Sequence, residues 1–239
     1  MAIITGFEPF GGRTENASWR VAERVAGTFA EEGFDIQAKQ VPVEFDAIGP
    51  FLAHHRRETI ISIGEAAVAD RARLEIAGRL WQHGTDNTGK YFNRPLASIL
   101  LSRTHESLVA RVQANTTGSE TSLPQRETND GARRRSGVRV LYDGPRPPAA
   151  VIGENGLEYA VRAPENVVNL ARKAGLAISS DAGLYICNTT TALGYAFLNT
   201  FAFLHVPAVE PSEKTLTAVS AFVRSLLVHA HGGDHEVQD

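Results

Sequence analysis

Short apolar runs alternate with longer amphipathic stretches along most of this 239-residue chain. "AIITGF" reads as a buried strand ending in glycine, and "TIISIG" repeats that pattern further on. Between them, "SWRVAERVAGTFAEEGF" spaces Val21, Val25 and Phe29 along one helical face, with Ser18 as a candidate N-cap. "DIQAKQVPVEF" predicts a strand, "DAIGPFLAHHRRE" a helix and "ARLEIAGRL" a weaker strand. Later, "PENVVNLARKAGL" reads as a helix with Pro164 in its first turn and Gly175 just past its end. "AISSDAG", "NTTTALGYAFLNTF", "AFLHVP" and "PSEKTLTAVSAFVRSLLVHAH" predict strand, helix, strand and helix. The alternation predicts an α/β fold: one three-layer α/β/α domain over residues 1–239, around a mostly parallel, mixed twisted sheet.

The middle breaks the pattern. Residues 114–137 are rich in Thr, Ser, Gly and Arg, with Leu123 their one large apolar residue. The segment from about 113 to 150 is expected to be a polar insertion without a core of its own.

Composition narrows the function. A net charge of −3 gives no reason to expect nucleic-acid or anionic-membrane binding. No window has the apolar run of a membrane helix, and the N-terminus lacks the pattern of a signal peptide, so the expectation is a cytoplasmic protein. The one cysteine excludes an intrachain disulfide and a structural thiolate zinc site. His229, His231 and His235 near Asp234 have spacing that can bind a metal, but a frayed tail is the preferred reading, so no metal is expected.

That cysteine, Cys187, follows the apolar "GLYI" and precedes the predicted helix beginning at "NTTT". A helix N-terminus favours a thiolate, and "NTTT" offers donors to the sulfur or to an oxyanion. His205 lies near the end of "AFLHVP", where a parallel sheet borders its crevice. Such a histidine can take the thiol proton and return it to a leaving amine. Position alone leaves the plainer alternative open: a small buried thiol and a core histidine.

Further motifs carry a resemblance. "TGFEPFGG" at residues 5–12, "NASW" at Asn16, "ARLEIAG" around Glu75, "DNTG" at Asp86, "DAGLYICN" and "FLHVP" occur in one order. In that order they resemble the pyroglutamyl peptidase I family of cysteine peptidases. The resemblance implies Cys187 as nucleophile, His205 as general base and acid, and Glu75 as the carboxylate orienting the imidazole. It implies a substrate pocket of Phe7, Phe10 and Tyr185, with Asn16 and Glu65 beside it, holding a flat, neutral lactam. Neither metal nor organic cofactor is implied. The expected partner is a peptide or small acyl amide, and a homo-oligomer is suggested.

The chain also departs from the family pattern. Ala69 stands where an arginine is expected, with Arg71 nearby as a substitute. Glu65 stands at a loop position that is usually glutamine or apolar, where a carboxylate would favour a cationic or donor-bearing substrate. Gln82 and His83 replace an arginine before "DN", leaving His83 as the candidate oxyanion donor. The 113–150 segment is longer than its family counterpart. These changes keep three readings open. The first is a pyroglutamyl amidohydrolase. The second is a hydrolase or acyltransferase of the same fold acting on another acyl group. The third is a non-catalytic binding protein retaining the pocket.

Overall fold

The computed structural model describes residues 1–96, 151–152 and 159–232. The polar 113–150 segment therefore lies outside the described residues, as do residues 233–239 and the side chain of His231.

The apolar runs form the centre of the sheet. β1 (Ala2–Phe7), β3 (Thr59–Ala66) and β11 (Phe201–Pro207) are almost wholly buried. Strands covered on both faces read as continuous apolar runs, which is why these three stand out in the sequence. β2 (Ile36–Val41), β4 (Arg73–Glu75) and β10 (Ala177–Ser179) complete six strands in the order β10-β4-β11-β3-β1-β2. Neighbours run parallel except β11 and β4, which are antiparallel. Glycine does not stop β1 or β3 as expected, since Gly6 and Gly64 lie inside those strands.

The two-residue strand period divides the core between two layers. On one face Ile4, Ile61, Ile63, Leu204 and Val206 pack with α1 (Ala17–Glu31), α3 (Glu165–Lys173) and α5 (Glu213–Gly232). On the other, Phe7, Ile60, Phe201 and Phe203 pack with α2 (Phe45–His54) and α4 (Ile186–Phe197). This is the expected three-layer architecture.

Beside α4 lie two smaller units. β5 (Ala77–Arg79), β8 (Val151–Ile152) and β9 (Tyr159–Arg162) form one sheet, and β6 (Trp81–Thr85) pairs with β7 (Tyr91–Pro95) as a hairpin. Pro164 sits at the N-cap of α3 rather than within its first turn, and Gly175 follows the helix at φ 79°. Among the described residues, no helix is long and apolar enough to cross a membrane.

Candidate active site

α4 begins at Ile186, so Cys187 is its second residue rather than lying ahead of it. The apolar "GLYI" run thus contributes to the helix start. The first main-chain bond of the helix runs from Thr189 N–H to Tyr185 O. The amides of Ile186, Cys187 and Asn188 precede that ladder, at the positive end of the helix dipole. Cys187 itself is half-buried.

β11 turns Phe201, Phe203 and His205 toward α4. Its register sets His205 opposite Gly64 of β3 on one side and Arg73 of β4 on the other. A Cβ added at Gly64 would stand 2.8 Å from Cys187 Sγ and 3.2 Å from His205 Cδ2. Thiol and imidazole thus meet above a stretch of backbone that has room for no side chain. His205 Nδ1 donates to Glu75 Oε1 at 2.7 Å. Glu75 is fully buried and His205 is 4% exposed, so the carboxylate is shielded from water behind the imidazole.

Electrostatics follow from that enclosure. Burial opposes charge on His205, but the Cys187 thiolate, its hydrogen bond and Glu75 outweigh it and push the imidazole up to about 9. Burial also opposes charge on Glu75. The hydrogen bond from His205, the nearby Ser179 hydroxyl and the charges of His205 and Arg73 override it and hold the carboxyl below its usual range.

The group opens into a cavity of about 290 Å³. Phe7, Phe10, Val43, Tyr185 and Ile186 form an apolar wall, and Glu65, Arg73, Asp181, Cys187 and His205 a polar one. Tyr185 is fixed by Phe10 at 6.1 Å, by Phe45 edge-on at 5.3 Å, and by its hydroxyl donating to Thr85 O at 2.8 Å. Burial, then the negative charges of Asp86 and Cys187, raise its phenol above the ordinary value. The "GG" after Phe10 turns with Gly11 and Gly12 at φ 62° and 76°, a conformation that side chains resist.

Asn16, Glu65 and His83 behave differently from expectation. Asn16 reaches the cavity, but its polar atoms serve α1. Its Oδ1 accepts from Ser18 N at 3.0 Å and from the Ser18 hydroxyl at 2.7 Å, while Nδ2 donates to Glu8 O at 3.0 Å. Asn16, not Ser18, is the N-cap. Glu65 lies in β3 rather than in a loop. One of its oxygens pairs with Arg13 and the other accepts from Ala17 N at 2.8 Å, at the start of α1. Its charge is thereby met within the protein, which removes the reason to expect a cationic substrate. His83 is exposed, stacks edge-on against Tyr91 at 5.8 Å and does not line the cavity. Strand alternation points Gln82 inward instead, so the oxyanion assignment to His83 does not stand.

The hydroxyls of "NTTT" are also occupied. Thr190 and Thr191 donate to the carbonyls of Ile186 and Cys187, and Gln82 donates to Thr189 at 3.4 Å. Asn188 clamps the hairpin side, accepting from Arg79 N at 2.7 Å and donating to Arg79 O and Trp81 O. Any oxyanion donors come from the α4 backbone rather than from these side chains. Arg71, the expected substitute cation, is exposed beside Asp70. The guanidinium that reaches the site is Arg73, donating Nε to Glu75 Oε1 at 2.8 Å. A strand pattern R-x-E puts both side chains on one face, a signal present in the sequence but unreadable without the partner strand. Among the described residues, no group of side chains could hold a metal ion, and His229 is bonded to Asn166 at 2.9 Å.

Fold and site together define a mixed α/β protein with a thiol, an imidazole and a carboxylate brought together by α4, β11 and β4. The comparisons agree in direction. The family model for pyroglutamyl peptidase matches residues 1–78. The pyrrolidone-carboxylate peptidase of Bacillus licheniformis is 37% identical over 68 residues, 27% of this chain and 31% of that protein. That of Gloeobacter violaceus is 37% identical over 78 residues, 31% of this chain and 37% of that protein. The matched stretch thus spans about a third of these curated relatives. The crystal structure of pyrrolidone carboxyl peptidase from Thermus thermophilus aligns over 96% of this chain and 100% of its own, with a TM-score of 0.56 and 20% identity. Over residues 1–78 the chain is similar to the pyroglutamyl peptidase family, and the solved structure shares its fold. The sequence match ends three residues after Glu75, whereas the shared fold extends through Cys187 and His205.

Proposed function

We propose that this chain is a cysteine amidohydrolase of the pyroglutamyl peptidase type, cleaving an N-terminal pyroglutamyl amide through a thioester on Cys187. The carrying observation is the meeting of Cys187 and His205 over Gly64, with His205 bonded to Glu75, beside the rings of Phe7, Phe10 and Tyr185. In this reading His205 takes the thiol proton, and Glu75 fixes its tautomer and stabilises the imidazolium. The thiolate sulfur bonds to the substrate carbonyl carbon, and the first amides of α4 receive the oxyanion. The C–N bond breaks as His205 gives its proton to the departing amine. Water, deprotonated by His205, then attacks the thioester, and the C–S bond breaks to release the acid. No step draws on a metal or organic cofactor.

A flat apolar wall suits a neutral five-membered lactam. The Arg13–Glu65 pair supports this, since it leaves no net charge at that end of the cavity. A second reading, another acyl group on the same thioester chemistry, is favoured by one observation: among the described residues, neither Gln82 nor His83 reaches the cavity in place of the oxyanion arginine. We also place in this reading a single domain over 1–239, a cytoplasmic setting that keeps the thiol reduced, and self-association. The exposed Phe197, Val209 and Val228 support the last of these.

Turnover of pyroglutamyl-aminocoumarin tests the proposal. Release of the fluorophore above a Cys187→Ser control is expected. Equal rates reject the pyroglutamyl reading. Thioester trapping by intact mass with other acyl amides then separates the second reading from a non-catalytic binding protein.

A further inference from the structure

We propose that Arg73 is a positioning residue of this site: its guanidinium shares Glu75 Oε1 with His205, keeping the carboxylate ionised and limiting how firmly the imidazole holds its proton. The proposal rests on the reading of Cys187, His205 and Glu75 as the reacting set.

The geometry is specific. Arg73 and His205 are direct cross-strand partners in the antiparallel β4–β11 pairing, so their side chains share a face. Glu75, two residues beyond Arg73, shares that face too. Both cations converge on one oxygen, Arg73 Nε at 2.8 Å and His205 Nδ1 at 2.7 Å. The Arg73 side chain is 19% exposed and borders the cavity, while Glu75 is fully buried. An ionised carboxylate in such a place is costly unless paired, and a guanidinium is always charged.

The consequence concerns proton transfer. Thiolate and carboxylate both favour the imidazolium. A base and acid that must hand its proton to an amine works best near the operating pH. A fixed positive charge across the shared oxygen counters the two anions and also favours the thiolate. Other charged and titratable groups around the pair do not take this place. Glu65 is met by Arg13, Asp181 is largely exposed with Arg79 at 3.7 Å, and the Tyr195 hydroxyl donates to Glu75 O at 2.9 Å. Tyr185 donates to Thr85 O.

The test is an NMR titration of histidine-labelled full-length protein, with the His205 signal assigned by its loss in His205→Asn. In Arg73→Gln the His205 midpoint is expected to rise by roughly one pH unit. In Arg73→Lys, which keeps the charge, it should stay near the wild-type value. The alkaline limb of kcat/KM should move with the midpoint. Arg73→Met serves if Arg73→Gln does not fold. An unmoved midpoint in a folded charge-free variant overturns the proposal, whatever happens to the rate, because a merely structural role would change amplitude alone. A wild-type midpoint at or below the ordinary value of about 6.5 overturns the underlying site reading instead.

Discussion

The two walls of the cavity hold their shape in different ways. The apolar wall carries the rings of Phe7, Phe10 and Tyr185, which pack on Phe203, on one another and on Phe45 behind them. Its contribution is spread over many contacts, so losing one ring weakens binding without removing the pocket. On the polar wall Arg73, His205 and Cys187 reach the cavity from β4, β11 and α4, and the buried Glu75 behind them joins Arg73 to His205. Glu75 and His205 are buried and Arg73 and Cys187 half-buried, and removing one strands the others. In the proposed function the cavity thus combines a tolerant surface for recognition with an intolerant one for chemistry.

That contrast can be broken experimentally. The largest effect should come from Glu75→Gln, which keeps the shape but loses the carboxylate that sets the tautomer. The expected fall in kcat is roughly 10³–10⁴-fold, measured on the aminocoumarin substrate; a fall of only a few-fold would place Glu75 outside the chemistry. Next comes Gly64→Ala. Its methyl would stand 2.8 Å from Sγ, so thiol and imidazole must separate, and kcat should drop roughly 10²-fold with the fold retained by circular dichroism. On the other wall, Phe10→Ala should raise KM about tenfold and leave kcat nearly unchanged, because it removes binding area common to ground and transition states. A kcat loss equal to that of Gly64→Ala would erase the distinction between the walls.

The smallest effect is on stability against pH. The folded-state value of His205, about 9, lies above its ordinary 6.5. Its contribution is therefore fully present below about pH 6.5 and is lost as pH rises through about 9. The urea midpoint should decline over that window in wild type and flatten in His205→Asn. Glu75 acts at the other end: held below its usual range, its contribution is present above the ordinary carboxylate range and lost as pH falls through its lowered folded value.

Much of the fold was legible before any coordinates. β1, β3 and β11 are buried on both faces, so their apolar runs needed no partner to be recognised. The β6–β7 hairpin was not, because its strands alternate exposed and buried positions around polar residues such as Gln82 and Asn93. The same alternation misled the reading of His83. Cys187, His205 and Glu75 were named from motif order, but their meeting depends on contacts 130 residues apart in sequence. Arg73 escaped notice for that reason: R-x-E in a short strand is ordinary until β11 sets His205 opposite it. Glu65 was misjudged because Arg13, its partner, lies 52 residues away.

The most direct test of the central claim, that His205 activates the thiol of Cys187, is iodoacetamide labelling of Cys187 at neutral pH, followed by intact mass. Since this is the chain's one cysteine, the labelling rate reports the site alone. In His205→Ala the rate should fall roughly tenfold or more, the change that one pKa unit of interaction corresponds to. Equal rates in the two proteins would contradict the account, whatever the fold resembles.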